Sequence, residues 1–146
     1  MKNYFLLLCG LVLLGCEKDS IVISELERLD GFRALWYDQN IFDYEITQQI
    51  SCFCPREYTV PKLMRIENNR LVAVNGGPFI EAYPTDFLTI DEAFDFIEDR
   101  LLENPDEARI FYDGTFGFPY SIYFDMDFSI ADEEINYSFS DFYYLE

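Results

Sequence analysis

From Phe42 to Cys54 apolar and polar residues alternate almost without a break. Phe42, Tyr44, Ile46, Ile50 and Cys52 fall on one side, with Gln48 as the exception, and Asp43, Glu45, Thr47, Gln49 and Ser51 fall on the other. A period of two is the geometry of a half-buried strand, and Pro55 ends it. Upstream the spacing is helical instead. Leu26, Leu29, Phe32 with Arg33, and Trp36 recur at three- and four-residue intervals between Ser24 and about Asn40. Ser24 with Glu27 has the pattern of a capping box, Gly31 weakens the helix slightly, and Trp36 and Tyr37 are expected to anchor it on a sheet.

Downstream, Leu63 to Glu67 and Arg70 to Val74 predict a hairpin about Asn68-Asn69, because Asn tolerates the positive φ of a tight turn. Asn75-Gly76-Gly77-Pro78 is expected to break it, and Phe79 to Leu88 reads as an ordered loop. A second helix runs from Thr89 to about Glu103, with Thr89 and Glu92 as capping box. Ile90, Ala93, Phe94, Ile97 and Leu101 form its buried stripe, Asp91, Glu92, Asp95, Glu98 and Asp99 its wet face, and Asn104-Pro105 its stop. Three further strands are expected at Ala108–Tyr112, Tyr120–Phe128 and Ile135–Tyr144. The predicted fold is α+β: a single domain, a mainly antiparallel sheet with two helices packed on one face, in the order α-βββ-α-βββ.

The first residues follow another logic. Lys2 gives a positive charge, Tyr4 to Leu14 an apolar run, and Gly15 a small residue before Cys16. The run is too short to span a hydrocarbon core, which needs roughly 20 residues. Leu13-Leu14-Gly15-Cys16 resembles the lipobox of bacterial lipoproteins. That resemblance implies a signal peptide over residues 1–15 that is removed, a diacylglycerol on the Cys16 thiol and an acylated new N-terminus. Residues 16–23 would be a lipidated tether and 24–146 the α+β domain. An ordinary secretory signal with an incidental cysteine is the alternative. Cys16-Glu17-Lys18-Asp19-Ser20 is similar to the surface-export signal of some Bacteroidetes-type lipoproteins, or is a plain polar tether.

Composition narrows the function classes. Acids number 28 against 10 bases, a net charge of −18. Such a field repels nucleic acid and anionic lipid headgroups and attracts cationic proteins, peptides or divalent ions. It also serves solubility alone. There is no histidine, so the usual general base, the commonest zinc ligand and every Ser/His or Cys/His pair are missing. Aromatic residues make up 18% of the chain, which favours a strand-rich core.

Trp36, Tyr44, Ser51-Cys52-Phe53-Cys54-Pro55, the helix start Thr89-Ile90-Asp91-Glu92-Ala93-Phe94, Tyr112-Asp113-Gly114-Thr115-Phe116-Gly117-Phe118-Pro119 and Ile130-Ala131-Asp132-Glu133-Glu134 form a recurring set. Together they resemble the bacterial lipoprotein domain catalogued as domain of unknown function 6174. The resemblance covers most of the chain after Cys16 and implies no activity and no catalytic residue.

Three groups are candidates for chemistry or recognition. Cys9 leaves with the signal and Cys16 takes lipid, so Cys52 and Cys54 are the remaining thiols, and an envelope compartment would allow them to pair. Two residues apart on a strand, their Cα atoms stand about 6.5 Å apart, near the upper end of disulfide geometry. A bridge there needs a bend. The pair reads as structural, as a redox pair, or as a soft-metal site that two sulfurs would underfill.

Asp125-x-Asp127-x-Ser129 with Asp132, Glu133 and Glu134 begins like a calcium loop. It has Ile130 at the turn glycine and Asn136 where a bidentate Glu should close the site. A solvated acidic turn is the other reading. Phe116, Phe118 and Tyr120 around Gly117 and Pro119 form either an exposed recognition loop or a cap on the core.

The function these features favour is a non-enzymatic, lipid-anchored binding module of the bacterial envelope, on the periplasmic or surface face of the outer membrane. Its partners would be the bilayer, through Cys16, and an extracytoplasmic protein, peptide or glycan of cationic character, not nucleic acid. The alternatives are a thiol redox or soft-metal lipoprotein acting through Cys52 and Cys54, and a domain stabilised by calcium at Asp125, Asp127, Asp132 and Glu133. No other cofactor is expected.

Overall fold

The structure, a computed structural model, describes residues 16–80 and 87–145. The expected signal peptide lies outside the described residues, and with it Cys9; so does the middle of the 79–88 loop. The fold is α+β, with the predicted order of elements. Helix α1 spans Cys16–Asp38, strand β1 Tyr44–Ser51, a one-turn helix α2 Arg56–Thr59, β2 Lys62–Glu67, β3 Arg70–Val74 and β4 Gly77–Pro78. Helix α3 spans Ile90–Leu102, then come β5 Glu107–Tyr112, β6 Pro119–Asp125 and β7 Ile135–Tyr144. The strands form one antiparallel sheet in the order β4-β3-β2-β1-β7-β6-β5. Its centre is β1·β7, where Tyr44 faces Tyr144 and Ser51 faces Asn136 across 100 and 85 residues of chain, by subtraction of their numbers.

Helices α1 and α3 cover one face of the sheet. Leu29 and Trp36 of α1 and the whole predicted stripe of α3 are buried against Tyr44, Ile46, Ile66, Ile110, Ile122 and Phe124. At roughly 2 kcal/mol for each fully buried large side chain, this layer is the main source of stability. The start of α3 is held by more than its capping box, which forms as predicted. Tyr44 accepts from the Ile90 amide at 2.8 Å. Asp91 accepts from the Trp36 indole N–H at 2.9 Å and from the Asn69 side chain at 2.8 Å. One helix end therefore joins α1, β1 and the β2–β3 turn.

Four expectations are corrected. Helix α1 does not begin at Ser24: residues 16–23, expected as a tether, are its first turns. No Gly or Pro stops the helix from extending upstream, so the capping pattern at Ser24 lies inside it. Tyr37 is exposed, because it points about 100° away from Trp36 on the helix. The strand is shorter than the alternation, so Phe42 is exposed before it and Cys52 lies beyond its end. Residues 75–78 do not end the hairpin. Asn75 and Gly76 take positive φ and turn the chain into β4, paired with β3. The exception Gln48 is buried on the core side, where its side-chain oxygen accepts from the Leu88 amide at 2.9 Å.

The direction of α1 orients the molecule. Arg28 donates to the Ile110 carbonyl, Phe32 stacks on Tyr112 with ring centres 4.4 Å apart, and Trp36 meets Phe118. Helix α1 thus runs with β5, and with β7, against β1. The end of α1, the start of β1 and the end of β7 share one end of the sheet. The start of α1, the end of β1, the end of α3 and the β6–β7 turn share the other.

Candidate functional site

Loop 113–118 builds one wall of the site. The Asp113 carboxylate accepts from the amides of Thr115 and Phe116, and its carbonyl accepts from Gly117. Gly117 takes φ +92° directly under α1, where a Cβ would meet the Phe32 carbonyl at 2.6 Å. This tight approach drives Phe118 into the core against Trp36 and Phe142 and lays Phe116 over Phe142 and Tyr144.

A cleft of about 380 Å³ opens between that loop, the α1–β1 turn and the end of β7. Its walls include Gln39, Asn40, Phe42, Asp43, Phe116 and Tyr144. On the other side of Tyr144 and Leu145 a second hollow of about 420 Å³ reaches Arg65 and Tyr143. Phe42, Tyr143 and Tyr144 are exposed. Asp43 is held from two sides: its carboxylate accepts from the Asn68 amide at 2.7 Å and its carbonyl from Leu145 at 2.9 Å. Arg65 lies between Glu45 and Glu67. The cleft thus offers aromatic faces, two side-chain amides and the Asp43 carboxylate. These suit stacking and hydrogen bonding with a polar or cationic group.

Of the predicted site residues Phe116 lines this cleft, and the others fall elsewhere. Cys52 and Cys54 are joined, with Cα atoms 5.3 Å apart, in a bend just past β1. The bend supplies the closeness that an extended strand would not. Phe118 is buried and Phe116 half-buried, so of the two readings of this loop the structure favours the cap on the core, with Phe116 also facing the cleft. Tyr120 alone stays exposed, stacked with Phe111 on the uncovered face.

Asp125 is buried at the end of β6, and one of its carboxylate oxygens has no hydrogen-bond partner among the described residues. Burial, and then Glu134, Glu133 and Asp106, push its carboxyl above the usual range. In the turn that follows, Asp127 accepts from the Ser129 amide and hydroxyl, Glu133 from the Asp127 amide and Asp106 from the Phe128 amide. These carboxylates cap backbone donors. Among the described residues no three acidic or sulfur side chains gather as a metal site. The backbone of Cys16 opens α1.

Sequence reasoning missed Asn40, Phe42, Tyr143 and Tyr144. The one signal was Phe142-Tyr143-Tyr144, a run too aromatic for an alternating strand end.

A family model described as a family of unknown function, DUF6174, matches residues 28–144. No curated protein and no solved structure matches the chain.

Proposed function

The chain belongs to DUF6174, a family of unknown function, and on that premise we propose that it is a lipid-anchored binding module of the bacterial envelope. The observation that carries this reading is that the aromatic cleft lies at the end of the sheet opposite Cys16. A protein tethered at Cys16 would hold the cleft away from its anchor, where a soluble partner can reach it. The Leu13-Leu14-Gly15-Cys16 motif supports the anchor. The net charge of −18 supports a cationic partner, drawn in by long-range attraction. No helix among the described residues is long and apolar enough to cross a membrane.

Intact-mass analysis of the exported protein should find a chain beginning at Cys16 with added acyl mass; a species still beginning at Met1 sinks the anchor. For the cleft, binding of the exported protein to a panel of cationic peptides and neutral glycans should weaken about tenfold with Tyr144→Ala, or about 1.4 kcal/mol. Binding that ignores Tyr144 sinks the cleft. The joined Cys52–Cys54 pair supports a second reading, thiol–disulfide exchange in the envelope. A thiol count that does not change across envelope redox poises would end it.

A further inference from the structure

Four large apolar side chains stand in water at the end of the sheet opposite the cleft. Phe53 (82% exposed) is carried by the bend after β1, and Phe128 (66%) and Ile130 by the β6–β7 turn. Leu102, in the last turn of α3, is more than half exposed. Single exposed apolar residues are ordinary, but these tips come from three separate segments that the topology brings to one end. The backbone beneath them is held. Phe53 lies between the bridged cysteines, the Phe128 amide donates to Asp106 at 3.0 Å, and the Ile130 amide donates to the Asp127 carbonyl at 2.9 Å.

The same end carries the start of α1. From Arg28, level with Ile110, the helix runs back to Cys16 over about 18 Å at 1.5 Å per residue. From Ile110 back to Glu107, which pairs with Asp125, the strand covers about 10 Å, and the turn bearing Phe128 reaches beyond Asp125. Cys16 and Phe128 therefore stand at similar heights.

We propose that this end is a membrane-contact face, in which Phe53, Phe128, Ile130 and Leu102 enter the headgroup layer of a zwitterionic bilayer. The inference rests on acylation of Cys16, which would bring a lipid surface against this end. Charge selects the lipid: Asp106, Asp127, Asp132, Glu133 and Glu134 surround the tips and repel anionic headgroups. The acyl chains supply the anchoring. The tips set the orientation, with strands upright and the cleft facing away from lipid.

The test uses the exported protein carrying Phe128→Cys or Ile130→Cys, with Tyr37→Cys at the opposite end for comparison. Each is labelled with an environment-sensitive fluorophore and reconstituted in phosphatidylcholine–phosphatidylethanolamine vesicles after intact-mass analysis. Labels at 128 and 130 should be quenched by acrylamide, a neutral quencher that the surrounding carboxylates do not repel, several-fold less than the label at 37. Equal quenching at all three sites on an acylated chain overturns the contact face and leaves the anchor standing. A chain without acyl mass overturns the anchor and the face with it. Protection that appears only when phosphatidylglycerol is added overturns the zwitterionic assignment.

Discussion

At Gly117 a Cβ would lie 2.6 Å from the Phe32 carbonyl and 2.9 Å from the Trp36 amide, in a backbone conformation that disfavours side chains. Gly117→Ala should cost about 2–4 kcal/mol in urea unfolding, through strain and overpacking together; a loss below about 1 kcal/mol would mean that the loop yields freely. Two buried tyrosines separate partnered from orphaned hydroxyls. Burial raises both well above the ordinary value of about 10. A raised folded value adds stability below pH ~10 and loses it as pH rises further, so unfolding should become easier in alkali. Among the described residues the Tyr112 hydroxyl has no hydrogen-bond partner, while Tyr44 accepts from Ile90. Tyr112→Phe should therefore be neutral or stabilising at pH 7 and should blunt the alkaline loss. Tyr44→Phe should cost about 1–3 kcal/mol at pH 7, because it orphans a buried amide. Chemical denaturation across pH reads both.

Among the elements, α3 was the most legible in the sequence. Its stripe, capping box and stop are all local, and all three formed as read. Helix α1 was legible in its middle and not at its start, because helical periodicity does not say how far a helix extends upstream of its packed face. Strand β5 shows what periodicity cannot reveal at all. It is one of the two outer strands of the sheet, and Arg28 of α1 donates to its Ile110 carbonyl while lying 5.2 Å from the Tyr112 ring centre. An open edge is a template for pairing with another chain. Arg28→Ala should therefore raise the fraction of dimer and higher species in sedimentation, with little change in the monomer's circular dichroism. An unchanged monomer at high protein concentration would show that Arg28 does not guard the edge.

Over the whole molecule the excess of acids sets the balance. Apart from the largely buried Arg33, which pairs with Glu98, the ion pairs among the described residues join exposed or half-exposed groups, as with Arg28–Glu25 and Arg100–Glu103, and contribute little each. Self-repulsion from a net charge of −18 opposes compaction more than such pairs favour it. Salt raised to about 1 M, where the screening length is about 3 Å, should therefore raise the melting temperature. A fall would mean that the pairs outweigh the repulsion. The two ends of the sheet also acquire meaning only at this scale. Aromatic hydroxyl-bearing side chains mark one end, and aliphatic and Phe tips mark the other.

The order of elements, the face of α3 and the turn at Asn68-Asn69 were decided by sequence, since each depends on backbone preference and burial within about ten residues. The fates of the aromatic residues were not. Phe118 went inside, Phe42 and Tyr144 stayed out, and the cleft formed where β7 met β1. Such outcomes depend on register between strands some ninety residues apart in the chain. A local pattern shows that a residue has a buried side, but only the packed sheet determines what covers it.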